Sequence, residues 1–93
     1  MPNQMTLVGF LRYLYQRVLN ELANKNEEEL NYLSTTVREL WEAAERNEDM
    51  ELYSLLDDIN YLLNETLMGA PSKGENVLPS IASKLKQLET ARK

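Results

Sequence analysis

Residues 26–68 read NEEELNYLSTTVRELWEAAERNEDMELYSLLDDINYLLNETLM, without a single Gly or Pro. Such a run is helical by composition, and the question that decides the fold is whether it makes one helix or two. In the first half Leu30, Leu33, Val37, Leu40 and Ala44 form an apolar stripe at helical spacing. Continued at the same phase, that stripe would pass through Asn47, Glu51, Ser54 and Asp58, all of them polar. The second half has its own stripe of Leu52, Leu55, Leu56, Ile59, Leu62 and Leu63, offset from the first by one residue. A single straight helix cannot bury both stripes against one neighbour, so the chain must break near residues 46–49. The prediction is a helical hairpin, about 27–45 and 48–68.

Two further helices flank it. Upstream, Leu7, Leu11, Leu14, Val18 and Leu22 share one seam, with Val8, Tyr15 and Leu19 on one shoulder and Phe10 on the other. This predicts a helix over about 6–23 with Thr6 as its N-cap. Its apolar arc is about 180° wide, more than one neighbouring helix covers. That places it either in the middle of the bundle or against a second copy of the chain or a partner. Asn26 followed by Glu29 has the spacing of a capping box at the start of the next helix. Downstream, Gly69 is the expected C′ residue of the third helix, and residues 69–76 read as a loop. A fourth helix over about 77–90 follows, with Asn76 as N-cap, Pro79 in its first turn, and Val77, Leu78, Ile81, Leu85 and Leu88 as its apolar face. The fold class is therefore all-α: a small antiparallel four-helix bundle in one domain of 93 residues.

Charge is unevenly distributed. The net is −5, yet residues 26–65 carry twelve acids against Arg38 and Arg46, a net of −10, while both flanks are net positive. The hairpin should repel nucleic acid and attract basic surfaces. Much of the acidity also has a structural use. Glu27, Glu28 and Glu29 favour the dipole of the helix they begin, and Arg38, Glu42 and Arg46 have the spacing of a surface ion-pair ladder.

The chain contains no Cys and no His, which removes disulfides, thiolate chemistry, the usual general base and the commonest transition-metal ligand. Gly69 and Gly74 have the spacing of a phosphate-binding loop, but Glu75 and Asn76 stand where Lys and Ser/Thr are needed. Glu39-x-x-Glu42 has no E-x-x-D partner on the next helix to complete a Mg²⁺ site. Asp57 and Asp58 are adjacent, so on a helix they point about 100° apart and form no carboxylate dyad with each other. No catalytic residue, cofactor or metal ligand is expected. The apolar N-terminal stretch is interrupted by Arg12, Gln16, Arg17 and Asn20, so neither a signal peptide nor a membrane span is read there, and the cytoplasm is the expected location.

What remains is a surface. Met50, Tyr61 and Met68 fall within about 20° of one another on the outer face of the third helix, with Tyr53 at the border and Asp57 among the framing carboxylates. Exposed Met and Tyr are residues of protein interfaces, whereas Trp41, beside Val37 and Leu40, reads as core. The functional expectation is a non-enzymatic protein-interaction module: a small adaptor, an export-type chaperone, or an inhibitor of the immunity-protein kind. It would present the acidic hairpin and its Met/Tyr patch, residues Met50, Tyr53, Asp57, Tyr61 and Met68, to a partner with a basic surface. Two alternatives stand beside it. One is a nucleic-acid-associated regulator using Arg12, Arg17, Lys84, Lys86, Arg92 and Lys93; the other is a self-associating unit, a homodimer through the first helix.

Overall fold

The computed structural model describes residues 6–91. Its elements are α1 (Leu7–Asn24), α2 (Glu27–Arg46), α3 (Met50–Leu67), a short α4 (Pro71–Glu75) and α5 (Leu78–Ala91). The four long helices form the expected bundle, and no strand occurs among the described residues. Arg92 and Lys93, two of the cations assigned to the nucleic-acid alternative, lie outside the described residues.

The break between α2 and α3 is a tight helix-terminating turn. Glu48 adopts a left-handed conformation at φ 56°, and the Asp49 N–H donates to the Ala44 carbonyl at 2.9 Å. This is the pattern that closes the last turn of a helix, here with Glu in the place Gly usually takes. The Asp49 side chain then accepts from Leu52 N–H and starts α3, two residues later than the stripe alone suggested. Lys25 (φ 54°) and Gly69 (φ 88°) end α1 and α3 in the same manner.

Both stripes of the hairpin are buried as read: Leu30, Leu33, Val37 and Ala44 on α2, and Leu55, Leu56, Ile59, Leu62 and Leu63 on α3. Leu40 and Leu52 are only partly covered. The helix in the middle is α3, which packs against every other element. The wide arc of α1 is thus not explained by a central position. Leu11, Leu14 and Val18 enter the core, while Leu22, Val8, Phe10 and Tyr15 are partly covered and Leu7 remains 40% exposed. Burial pushes the Tyr15 hydroxyl's pKa above its ordinary value.

Two local expectations are corrected. Residues 71–75 are helical rather than loop, because Pro71 at the first position fixes a helical φ and Gly74 lets the turn lie directly on α3. A Cβ at Gly74 would stand 2.9 Å from the Leu62 carbonyl oxygen and 3.2 Å from its Cδ1. In consequence Asn76 is no N-cap for α5; it closes α4 in right-handed geometry and the chain runs almost directly into α5. The capping box at Asn26 is half formed. Asn26 Oδ1 accepts from Glu29 N–H at 3.3 Å, but the Glu29 carboxylate takes Arg17 of α1 at 2.9 Å, a charge-assisted bond that outcompetes the neutral backbone donor.

Polar contacts tie the outer helices to the hairpin. Arg17 links α1 to α2 through Glu29, and Arg12 pairs with Glu89 across α1 and α5. On α3, Asp58 accepts from Ser80 Oγ at 2.7 Å and from Lys84 Nζ at 2.8 Å, clasping α5 with a carboxylate that is largely buried.

Candidate functional site: a polar groove between α2 and α3

Along one side of the hairpin, Arg38, Trp41 and Glu42 of α2 face Asp57, Asn60, Tyr61 and Asn64 of α3 across a cleft of about 480 Å³. On each helix these residues recur at intervals of three and four, so each set occupies one face and the two faces oppose each other.

The groove has an aromatic end. The Trp41 ring stacks on Tyr53 with centroids 5.3 Å apart and planes inclined by 24°, an offset arrangement worth about 0.5–1.5 kcal/mol beyond the area it buries. Trp41 is half-buried; its ring packs on the core and also lines the groove, so it is not the purely internal residue its neighbours Val37 and Leu40 suggested.

Two buried polar atoms distinguish this place. Trp41 Nε1 and Asn60 Oδ1 are shut off from solvent and have no hydrogen-bond partner, and they are the only such side-chain atoms among the described residues. Asn60 is 7% exposed. One atom is a donor, the other an acceptor, and both residues line the same groove. A buried polar atom left without a partner costs about 1–3 kcal/mol.

Other concavities lack this feature. At one end of the bundle Leu22, Leu30, Leu67 and Pro71 shape a pocket of about 290 Å³, but its Thr66 hydroxyl is already bonded to the Leu62 carbonyl of its own helix at 2.8 Å. The Asp58, Ser80 and Lys84 cluster is internally satisfied, with Asp58 accepting from both neighbours. Among the described residues no group of three or more acidic side chains is placed to hold a metal ion. Among the described residues no helix is long and apolar enough to cross a membrane.

The residues assigned to a surface row are divided by the structure. Asp57 and Tyr61 line the groove, and Tyr53 stacks on Trp41 beside it. Met50 borders a separate depression with Lys84 and Gln87 of α5, and Met68 is the C-cap residue of α3, 79% exposed. With Met50 and Met68 about 27 Å apart along the helix, the row is a line rather than a patch. Arg38, Glu42 and Arg46 form no ion-pair ladder; exposed long side chains gain too little from such links to hold them, and Arg38 and Glu42 belong instead to the groove. Asn60 and Asn64 were passed over in the sequence. The detectable signal was Asn60 itself, a polar residue at helical spacing between Leu56 and Leu63 in the most apolar stripe of the chain.

Of the six cations assigned to a nucleic-acid surface, Arg12, Arg17 and Lys84 are engaged in ion pairs with Glu89, Glu29 and Asp58. Lys86 is exposed and shares a shallow face with Arg12. No protein-family model matches the chain, and no curated protein or solved structure matches it either.

Proposed function

We propose that the protein is a non-enzymatic interaction module acting in the cytoplasm, of the adaptor, export-chaperone or inhibitor kind, and that a partner with a basic surface docks on the α2–α3 groove. The observation that carries this reading is the unpartnered buried pair Trp41 Nε1 and Asn60 Oδ1, on two residues that line the same groove. Charge supports it. The hairpin carries a net −10, and the groove carboxylates Glu42 and Asp57 enter none of the ion pairs among the described residues. Long-range attraction would speed the encounter with a cationic partner, and burial of Tyr61 and the Trp41 edge would hold it.

Trp41 is the single tryptophan, so its emission reports on the groove without labelling. A short Lys/Arg-rich peptide should change that emission in a saturable manner. The effect should weaken as salt rises from about 0.05 to 0.5 M, where the screening length shortens severalfold. A Glu-rich peptide should leave the emission unchanged; an equal response to both would reject the reading. Salt-sensitive retardation of mixed DNA and RNA by the protein would favour the nucleic-acid alternative instead.

A second reading rests on α1. Leu7 is 40% exposed and Val8, Tyr15 and Leu22 of the same helix are only partly covered, which suits a homodimer through that helix. Light scattering over a concentration series decides it, with a constant monomer mass as the opposing result.

A further inference from the structure

We infer that Trp41 and Asn60 form a clamp for the main chain of an extended peptide segment, gripped at its N–H and C=O groups and accompanied by a Lys or Arg side chain between Glu42 and Asp57. This deepens the docking function proposed above and rests on it. The argument begins with what the two orphan atoms need. Trp41 Nε1–H requires an acceptor and Asn60 Oδ1 requires a donor, and a peptide unit presents one of each.

The partner's secondary structure follows from the same requirement. In an α-helix the backbone groups are already bonded to one another, except at the ends, and cannot answer Trp41 and Asn60. An extended segment is narrower and leaves its main-chain groups free to be read, which is how strand-like ligands are commonly bound.

Charge selects the sequence. Glu42 and Asp57 stand on opposite walls of the groove, and Arg38 is its only cation, so a cationic side chain meets two carboxylates while an anionic one meets two like charges. Both orphan atoms lie beneath the surface, so a bound segment must shift lining side chains to meet them; Arg38 is exposed and Tyr61 is 42% exposed, and exposed side chains change rotamer within picoseconds to nanoseconds.

The test uses the full chain and three end-capped peptides read by Trp41 emission and calorimetry. The first alternates Gly and Lys; the second has the same residues with N-methylated main-chain amides; the third replaces Lys by Glu. The Gly/Lys peptide should bind, its N-methylated form at least about tenfold more weakly, equivalent to about 1.4 kcal/mol, and the Glu form not at all. Asn60→Leu should lose a similar factor for the first peptide and nothing for the second. Trp41→Phe, read by calorimetry, keeps the ring stack and should lose affinity for the parent and the N-methylated peptide alike, because N-methylation leaves in place the carbonyl that Trp41 Nε1–H would meet. Equal affinity for the parent and N-methylated peptides would overturn the clamp while leaving the docking groove in place. Failure of all three peptides to bind would overturn both.

Discussion

Asn60 is the residue at which stability and binding should part company. Its Oδ1 is buried without a partner on the helix that packs against every other element of the bundle, and the desolvation of such an acceptor costs about 1–3 kcal/mol. Asn60→Leu replaces the amide oxygen and nitrogen by two methyl groups, which removes the acceptor and adds apolar surface between Leu56 and Leu63. Allowing about 1 kcal/mol for imperfect packing, the net gain should be about 0–2 kcal/mol. In a domain of this size that raises the melting temperature by about 4–8 °C per kcal/mol. Urea unfolding followed by circular dichroism is the assay, with the midpoint moving up by as much as about 1 M at an unchanged slope. Asn60→Ala is the control: it also removes the acceptor but leaves space unfilled, and should gain less than the Leu variant. A loss of more than about 1 kcal/mol for Asn60→Leu would refute the reasoning, because it would mean that the carboxamide holds a hydrogen bond the fold depends on.

Three other substitutions probe the scaffold. Gly74→Ala should destabilise by about 1–3 kcal/mol despite the better helix propensity of Ala, because its Cβ meets a backbone oxygen of α3 that cannot move aside; thermal melts report it. Asp58→Ala removes the acceptor shared by Ser80 and Lys84 and should cost about 1–3 kcal/mol in urea unfolding, with faster amide exchange in α5. Glu48→Gly relieves the left-handed strain at the hairpin turn and should stabilise by about 0.5–1 kcal/mol, measured as a shift in urea midpoint.

The hairpin was legible because its two stripes are continuous and mutually out of phase, and hydrophobic phase is a property of the sequence alone. The Thr6 cap was legible because a short polar side chain preceding an apolar run has one inexpensive use. The helix at Pro71–Glu75 was not, since Pro and Gly announce a turn, and only the close approach to Leu62 shows why Gly74 is there. The groove was half legible. Asp57 and Tyr61 were found from their outward phase, but Met50 and Met68 share that phase without sharing a neighbour. Helical phase states which way a residue points, not which second helix stands opposite. Arg38, Trp41 and Glu42 complete the groove from α2, and the pairing of those two faces is fixed by the bundle's packing rather than by either stripe.

The groove as docking site is tested most directly by mapping amide and side-chain resonances of the uniformly ¹⁵N-labelled chain during titration with the Gly/Lys peptide. The expected shifts converge on the Trp41 indole N–H, the Asn60 carboxamide, and the backbone of Asp57 and Tyr61, one set from each wall of the groove. Shifts confined to the Arg12 and Lys86 face, or to the pocket of Leu22, Leu30 and Leu67, would contradict the account.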